Sequence, residues 1–108
     1  MTTDFESSVR VDVSQEVGTL VLRLSGELDL ATRLPVERAV FAAIPTAYAV
    51  VLDLEELTFC DSTGLAMFVA ARQEAVVHHT TLTFRNVRPA VARVFAISGI
   101  DHLLDIRE

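Results

Sequence analysis

The chain has 108 residues, 51% of them hydrophobic and 22% charged, a composition that excludes a disordered chain and fits one domain over residues 1–108, with its core at about 9–106. Its formal charge of −6 comes from 15 acidic residues against nine arginines, without any lysine or basic stripe, so we expect no direct nucleic acid partner. No apolar run approaches the roughly 20 residues that cross a bilayer, and the N-terminus does not resemble a signal peptide, so we expect a cytoplasmic protein that does not bind a membrane.

Two segments near the N-terminus alternate between apolar and polar residues, as strands with one buried face do. They cover residues 9–14 and 20–25, and Gly18 lies in the short connection between them. We therefore predict an antiparallel hairpin at one edge of a sheet.

A helix is predicted to follow residues 26–29. Thr32 is its expected N-cap, Pro35 suits a first turn that needs no internal N–H donor, and Pro45 ends it. Its apolar face is formed by Val36, Val40 and Ile44, with Phe41 beside them.

A nearly continuous apolar run at residues 49–54 is typical of a central parallel strand covered on both faces. A second helix is predicted to open at Asp61. The residues with helical spacing on its core face are Leu65, Phe68, Val69 and Val76. Ala66 and Met67 are then expected to face outward.

The last third of the chain predicts one more strand and one more helix. Leu82 and Phe84 alternate with polar residues, and Arg88-Pro89 reads as a helix entrance. The apolar face of that helix is formed by Val91, Val94 and Phe95, and Ser98-Gly99 is expected to end it. Asp101 is expected to cap a short turn that runs through Leu104. The order of elements predicts an α/β fold, a single mixed sheet of about four to five strands with helices packed on it.

Two hydroxyl residues and a glycine stand where a strand leads into the second helix. Asp61 is the expected N-cap, and Ser62 and Thr63 are expected to lie exposed in the first turn. Gly64 removes the side-chain bulk that would hinder close approach of a partner. Taken alone, these four residues describe nothing more than a helix start, but apolar residues beside exposed hydroxyls favour a docking surface.

The sequence resembles a STAS domain, specifically a bacterial anti-sigma factor antagonist of the sporulation and general-stress type. The segments that carry the resemblance are residues 26–29, 51–54, 59–65 and 87–91, together with Phe95, Ser98-Gly99 and Ile100. The resemblance implies the STAS fold over nearly the whole chain. Ala66 stands where these proteins often have glycine, and the turn at residues 78–80 lacks their usual glycine.

The resemblance also implies a phosphorylation switch at Ser62, with Thr63 as second choice. The unphosphorylated protein would bind an anti-sigma factor serine kinase and free its sigma factor, phosphorylation would end that binding, and a PP2C-type phosphatase would restore it. The expected partner-binding residues are Asp29, Asp61, Ser62, Thr63, Gly64, Ala66 and Met67. Phosphate on a helix N-terminus should leave the fold intact and act on binding by repulsion.

Other functions remain open or are disfavoured by particular residues. An enzyme is not expected, because Ser62 lacks a Gly-x-Ser-x-Gly elbow and a P-loop needs a lysine. His78 and His79 are adjacent rather than one helical turn apart, so we predict no metal site, and we predict no cofactor. Cys60 is expected to be a small buried hydrophobic residue rather than a redox sensor. The alternative is a STAS interaction or sensor module that docks to another partner, as in a stressosome, or binds a small ligand.

Overall fold

A computed structural model describes residues 2–4 and 9–107. Within that part of the chain, six strands form one mixed sheet in sequence order. The strands are β1 (Thr2–Asp4), β2 (Val9–Glu16), β3 (Thr19–Leu28), β4 (Ala49–Cys60), β5 (Thr81–Arg85) and β6 (Ile106–Arg107). The helices are α1 (Arg33–Ala43), α2 (Ser62–Val77) and α3 (Pro89–Ile97), with 3₁₀ turns at Ile44–Thr46 and Asp101–Leu103. The predicted α/β class and mixed sheet are confirmed.

The N-terminal hairpin is also confirmed. In β2 and β3, Glu16 is the register partner of Thr19, which leaves Val17 and Gly18 as the turn. Gly18 has φ of +69°, a backbone region that favours glycine. The short strand β1 pairs outside β2, so the hairpin is not the edge of the sheet as predicted.

Strand β4 is central and parallel to both neighbours, but it is twice as long as the predicted residues 49–54. Its register against β3 shifts twice, between Arg23 and Ser25 and between Gly26 and Glu27, and β4 supplies an extra residue each time. Each shift resets the alternation of side chains, so Leu54, Leu57 and Cys60 are all buried at a spacing of three. The strand therefore continues to the start of α2.

The core lies on one face of the sheet. Buried side chains of all three helices join the β-strand residues of that face in a single cluster. At its centre, the rings of Phe68, Phe84 and Phe95 meet edge to face with centroids 5.1 to 6.4 Å apart. These contacts join α2, β5 and α3.

Residues 49–54 of β4 are all buried or half-buried, as predicted for a covered strand, but the face opposite the core carries a polar cluster around Asp53. The Asp53 side chain is buried, and its carboxylate lies 3.3 Å from Arg85 Nη2 and 3.8 Å from Arg23 Nε. Asn86 donates its amide to both carboxylate oxygens. A buried charge is tolerated when it is paired in this way.

The helix boundaries agree with the predictions, with small differences. Thr32 is the N-cap position of α1, yet its hydroxyl caps no helical N–H and instead donates to the Glu27 carbonyl. Pro45 lies in the 3₁₀ turn that follows the α-helix. Gly99, with φ of +73°, follows the end of α3, and the next turn begins at Asp101 without a side-chain cap. None of the helices in residues 2–4 and 9–107 is long and apolar enough to cross a membrane.

Candidate functional site

The carboxyl ends of β3 and β4 bring two distant acidic residues to one edge of the sheet. Leu28 and Cys60, the last residues of the two strands, are register partners, and the Asp61 N–H donates to the Leu28 carbonyl at 3.1 Å. Asp29 and Asp61 each follow directly. In open α/β sheets, ligands often bind outside the carboxyl ends of the parallel strands.

Asp61 caps α2 as predicted. Its Oδ1 accepts the backbone N–H of Thr63 at 2.9 Å and that of Gly64 at 3.1 Å, and the Thr63 hydroxyl donates to the same oxygen at 2.6 Å. The hydroxyl bond of Thr63, together with the two backbone bonds, lowers the pKa of Asp61 below its ordinary value. The carboxylate is therefore ionised at neutral pH and fixed in orientation.

Ser62 and Thr63 occupy neighbouring positions with different surroundings. Thr63 is half-buried and its hydroxyl is held by Asp61. Ser62 is exposed at the first position of α2, and its hydroxyl has no hydrogen-bond partner within the described residues. Of the two, Ser62 is the hydroxyl that an incoming enzyme can reach without breaking a contact.

Gly64 has a different role from the one predicted. It is buried, and a Cβ on it would stand 2.7 Å from Cys60 Sγ and 2.9 Å from Leu28 Cγ. The close approach that glycine permits is therefore between α2 and the ends of β3 and β4, and not with a partner. This packing fixes the height of the first turn of α2 above the sheet.

Cys60 is the buried hydrophobic residue that the sequence predicts. It is 2% exposed, and burial, with a smaller contribution from the charge of Asp61, raises the pKa of the Cys60 thiol to about 12. Because the thiolate is the reactive form, this thiol is inert at neutral pH.

The loop after β3 is held by its own side chains. The Asp29 carboxylate accepts the backbone N–H groups of Ala31 and Thr32 at 2.9 and 3.0 Å, and the Thr32 hydroxyl accepts the Asp29 N–H. Asp29 is thus half-buried and locally engaged. The turn leaves Leu30 68% exposed beside it.

Met67 was predicted to face outward, and this is wrong. Met67 is only 3% exposed and belongs to the core cluster, whereas Ala66 is exposed as predicted. Val76, predicted to lie in the core, is 61% exposed. Because α2 carries no charged residue before Arg72, spacing alone does not tell which of its apolar faces meets the sheet.

The exposed apolar residues at this edge come instead from the ends of the neighbouring elements. Leu30 in the loop, Leu34 in the first turn of α1 and Phe59 near the end of β4 are 68%, 45% and 48% exposed. The sequence carries one signal for them, since Leu30 follows Asp29 directly in a predicted connection between a strand and a helix. The exposure of Phe59 follows from the second register shift of β4 against β3, and the local spacing of apolar residues does not reveal that shift.

The structure therefore assembles most of the predicted site. Its accessible part consists of Asp29, Asp61, Ser62, Thr63 and Ala66, while Gly64 and Met67 lie beneath it. Within the described part of the chain, no group of three His, Cys, Asp or Glu side chains is placed to hold a metal ion. The arrangement leaves the Ser62 hydroxyl exposed among these accessible side chains.

Comparison with known proteins agrees with this architecture. The family model described as "Mlab, STAS domain" matches residues 8–105. The chain belongs to the STAS-domain family. The anti-sigma-B factor antagonist of Bacillus subtilis (strain 168) is 27% identical over 100 residues, which cover 92% of this chain and 91% of that protein.

Two further similar proteins carry related names. The anti-sigma F factor antagonist of Lysinibacillus sphaericus is 35% identical over 86 residues, which cover 76% of this chain and 72% of that protein. The crystal structure of an anti-sigma factor antagonist from Mycobacterium paratuberculosis aligns with a TM-score of 0.84 at 26% identity, covering 96% of this STAS domain and 89% of that chain. All three of these proteins are named as anti-sigma factor antagonists.

Proposed function

We propose that this STAS domain is an anti-sigma factor antagonist that acts in the cytoplasm. The unphosphorylated protein binds an anti-sigma factor serine kinase and frees its sigma factor. Phosphorylation of Ser62 ends that binding, and a PP2C-type phosphatase restores it. The names of the similar proteins support the first statement, and the geometry around Ser62 supports the switch.

The observation that carries the proposal is the contrast between Ser62 and Thr63. The Ser62 hydroxyl is exposed and, within the described residues, without a partner, whereas the Thr63 hydroxyl is bound to Asp61 at 2.6 Å. A kinase reaches Ser62 without breaking the cap of α2. Phosphorylation there leaves the helix start in place, so the modification changes the surface and not the fold.

The added charge explains why binding would end. A phosphoserine adds about −1.5 to −2 charges at neutral pH. At this edge those charges stand beside Asp61, whose carboxylate is ionised, and near Asp29 on the adjacent strand end. In the free protein, water and the helix N-terminus accommodate the phosphate. Under a docked partner it must be desolvated next to like charge, and a loss of about 3 kcal/mol lowers affinity roughly 100-fold.

The surface for the partner combines the acidic groups with apolar side chains. The candidate contacts are Asp29, Leu30, Phe59, Asp61, Ser62, Thr63 and Ala66. Gly64 and Met67 support this surface from below, because both are buried.

The test uses the anti-sigma factor serine kinases encoded in the same genome. Each is mixed with the full chain, with and without ATP, and complex formation and the site of phosphate transfer are measured. We expect one phosphate on Ser62, release of the complex in ATP and recovery on treatment with a PP2C-type phosphatase. Ser62→Ala should stay bound in ATP, and Ser62→Asp should bind about 100-fold more weakly.

Ser14→Asp is the matched control. Ser14 is exposed on β2 and pairs with Val21, toward the opposite end of β3 from Leu28. The Ser14→Asp substitution adds the same charge as Ser62→Asp but far from Ser62, so it should leave the affinity for the kinase unchanged. If no kinase bound, or if Ser62→Asp bound as tightly as the native chain, the STAS domain would belong instead to the class of interaction modules that dock to other partners.

A further inference from the structure

A second candidate site lies at the opposite end of the parallel strands. Three connections meet there: the β2–β3 turn, the segment before β4 and the turn between α2 and β5. Together they border an open cleft of about 720 Å³, which we call the His79 cleft; the lining residues used below are Gly18, Thr19, Leu20, Tyr48, His78 and His79. Its volume falls within the range of small-molecule sites, about 300–1,000 Å³.

The walls of the His79 cleft are held by hydrogen bonds that do not involve its open surface. The buried Thr80 hydroxyl donates to the Ile44 carbonyl at 2.7 Å, joining the α2–β5 turn to the end of α1. The Ala49 N–H donates to the Gly18 carbonyl, and the Thr81 N–H donates to the Tyr48 carbonyl. The cleft is therefore formed before any ligand arrives, which reduces the entropic cost of binding.

His79 follows the C-cap of α2, and its positive φ closes the helix: the His79 N–H donates to the Val76 carbonyl at 3.2 Å and the Thr80 N–H to the Ala75 carbonyl at 2.9 Å. His79 has φ of +55°, a region that glycine enters without strain and other residues enter at a cost. The other described non-glycine residue with positive φ is Asn86, and its side chain binds the Asp53 carboxylate. The His79 ring has no such partner among the residues that the structure describes. The helix end thus requires a positive φ at this position, which glycine would supply, but it does not require an imidazole.

The lining of the cleft limits the chemistry of its ligand. Among the described residues, no aspartate or glutamate lines it, although the chain has 15 acidic residues. His78 is engaged by Glu74 at 3.0 Å, so His79 is the ring left to donate a hydrogen bond. The Tyr48 ring is 86% exposed at the rim, with Cδ2 3.6 Å from the position of a Cβ on Gly18. An exposed aromatic face and an unused imidazole donor that line one cleft suit a planar ring that carries one negative charge.

We propose that the His79 cleft binds a small planar aromatic anion, with its ring on Tyr48 and its charged group on His79. The Leu20 side chain lines the apolar part of the cleft, and Thr19 offers a further hydroxyl. The site is separate from Ser62, because α2 begins at Ser62 and ends beside the cleft after 16 residues, about 24 Å. The proposed ligand site in the His79 cleft can therefore be tested independently of the phosphorylation switch.

The test compares three probes that share one ring and differ in charge: benzoate, benzyl alcohol and benzylamine. Each is titrated into the full-length protein at pH 6 up to 20 mM, while the amide shifts of residues 17–20, 46–48 and 78–80 are followed by NMR. We expect benzoate to bind with a millimolar Kd, as its size allows. Benzyl alcohol should bind about tenfold more weakly, and benzylamine should not bind.

Two variants separate the contacts from the fold. His79→Gly removes the imidazole at a backbone position that favours glycine, so the melting temperature should not fall, and benzoate affinity should drop to that of benzyl alcohol. Tyr48→Ala should weaken benzoate and benzyl alcohol by the same factor. The proposal is overturned if benzoate shifts none of these amides at 20 mM, if benzylamine binds as tightly as benzoate, or if His79→Gly leaves benzoate affinity unchanged.

Discussion

The Thr63 hydroxyl and the Asp61 carboxylate form the shortest side-chain hydrogen bond at the start of α2, at 2.6 Å. The carboxylate oxygen in that bond also accepts two backbone N–H groups. Asp61 and Thr63 thus hold the helix end as one unit, and Ser62 lies between them in sequence without taking part. The two neighbouring hydroxyls therefore differ in what their removal should do.

Asp61→Ala should lower the free energy of unfolding by about 1 kcal/mol, because it removes the N-cap. Thr63→Val keeps the side-chain shape but loses the hydroxyl, and should cost about 0.5–1 kcal/mol. Ser62→Ala is the matched control and should stay within about 0.5 kcal/mol of the native chain. Urea denaturation followed by circular dichroism measures all three. A loss for Ser62→Ala as large as that for Thr63→Val would mean that the Ser62 hydroxyl also stabilises the helix start.

Gly64 and Cys60 approach so closely that a methyl group does not fit between them. Gly64→Ala should destabilise the protein by about 1–2 kcal/mol, since overpacking against Cys60 Sγ and Leu28 exceeds the gain in helix propensity. Adding Cys60→Ala removes the 2.7 Å contact, so the double variant should be about 1 kcal/mol more stable than the sum of the single changes. Strict additivity in urea melts would show that Leu28 alone, and not Cys60, limits the approach of α2.

The elements that sequence periodicity predicts correctly are those with one uninterrupted period. The hairpin alternates with a period of two, and α1 repeats Val36 and Val40 at helical spacing, and both are found as predicted. The Asp61 cap is equally local, since its partners lie two and three residues away. In each case, the residues that decide the structure are neighbours in the chain.

The features that were missed depend on contacts between distant segments. The second half of β4 breaks its alternation because two extra residues are fitted against β3, a register that only strand pairing reveals. Met67 was assigned to the wrong face because α2 is apolar all round near its start, so the sheet and not the sequence of the helix selects the buried side. The surface predicted around Ser62 therefore includes Met67, which is buried, and omits Leu30 and Phe59, which are exposed.

Leu30 and Phe59 should carry much of the apolar contact with the partner. Leu30→Ser and Phe59→Ser should each weaken kinase binding about tenfold or more, because each removes an exposed apolar group beside the site. Neither should change the melting temperature strongly, since the side chains are 68% and 48% exposed. Ile97→Ser on α3, at 78% exposure, is the control and should leave affinity unchanged. Equal effects of all three variants in a binding titration would contradict a localised surface.

Asp53 makes the stability of the fold depend on pH. Burial by itself raises the pKa of Asp53, but hydrogen bonds from the Glu55 backbone, Asn86 and Arg85 outweigh it, so the pKa of this carboxyl lies below its usual value. A lowered pKa in the folded state means that the unfolded chain binds the proton more tightly. The stabilisation by Asp53 is therefore present above the usual carboxyl value of about 3.9 and is lost as the pH falls below it.

Asp53→Asn should accordingly cost about 1–2 kcal/mol at pH 7, a value kept modest because Arg23 and Arg85 are partly exposed. The difference between the variant and the native chain should begin to shrink below about pH 4, as the unfolded chain takes up a proton that the folded carboxylate, with its lowered pKa, does not yet bind. Asp105→Asn is the control, because Asp105 pairs with Arg107 at the exposed edge of the sheet and should give a smaller loss. Urea titrations at pH 7, 5, 4 and 3 measure the difference at each point. A loss that stays constant down to pH 3 would show that the ion pairs with Arg23 and Arg85 do not stabilise the ionised form, and that Asp53 contributes only through its shape and neutral hydrogen bonds.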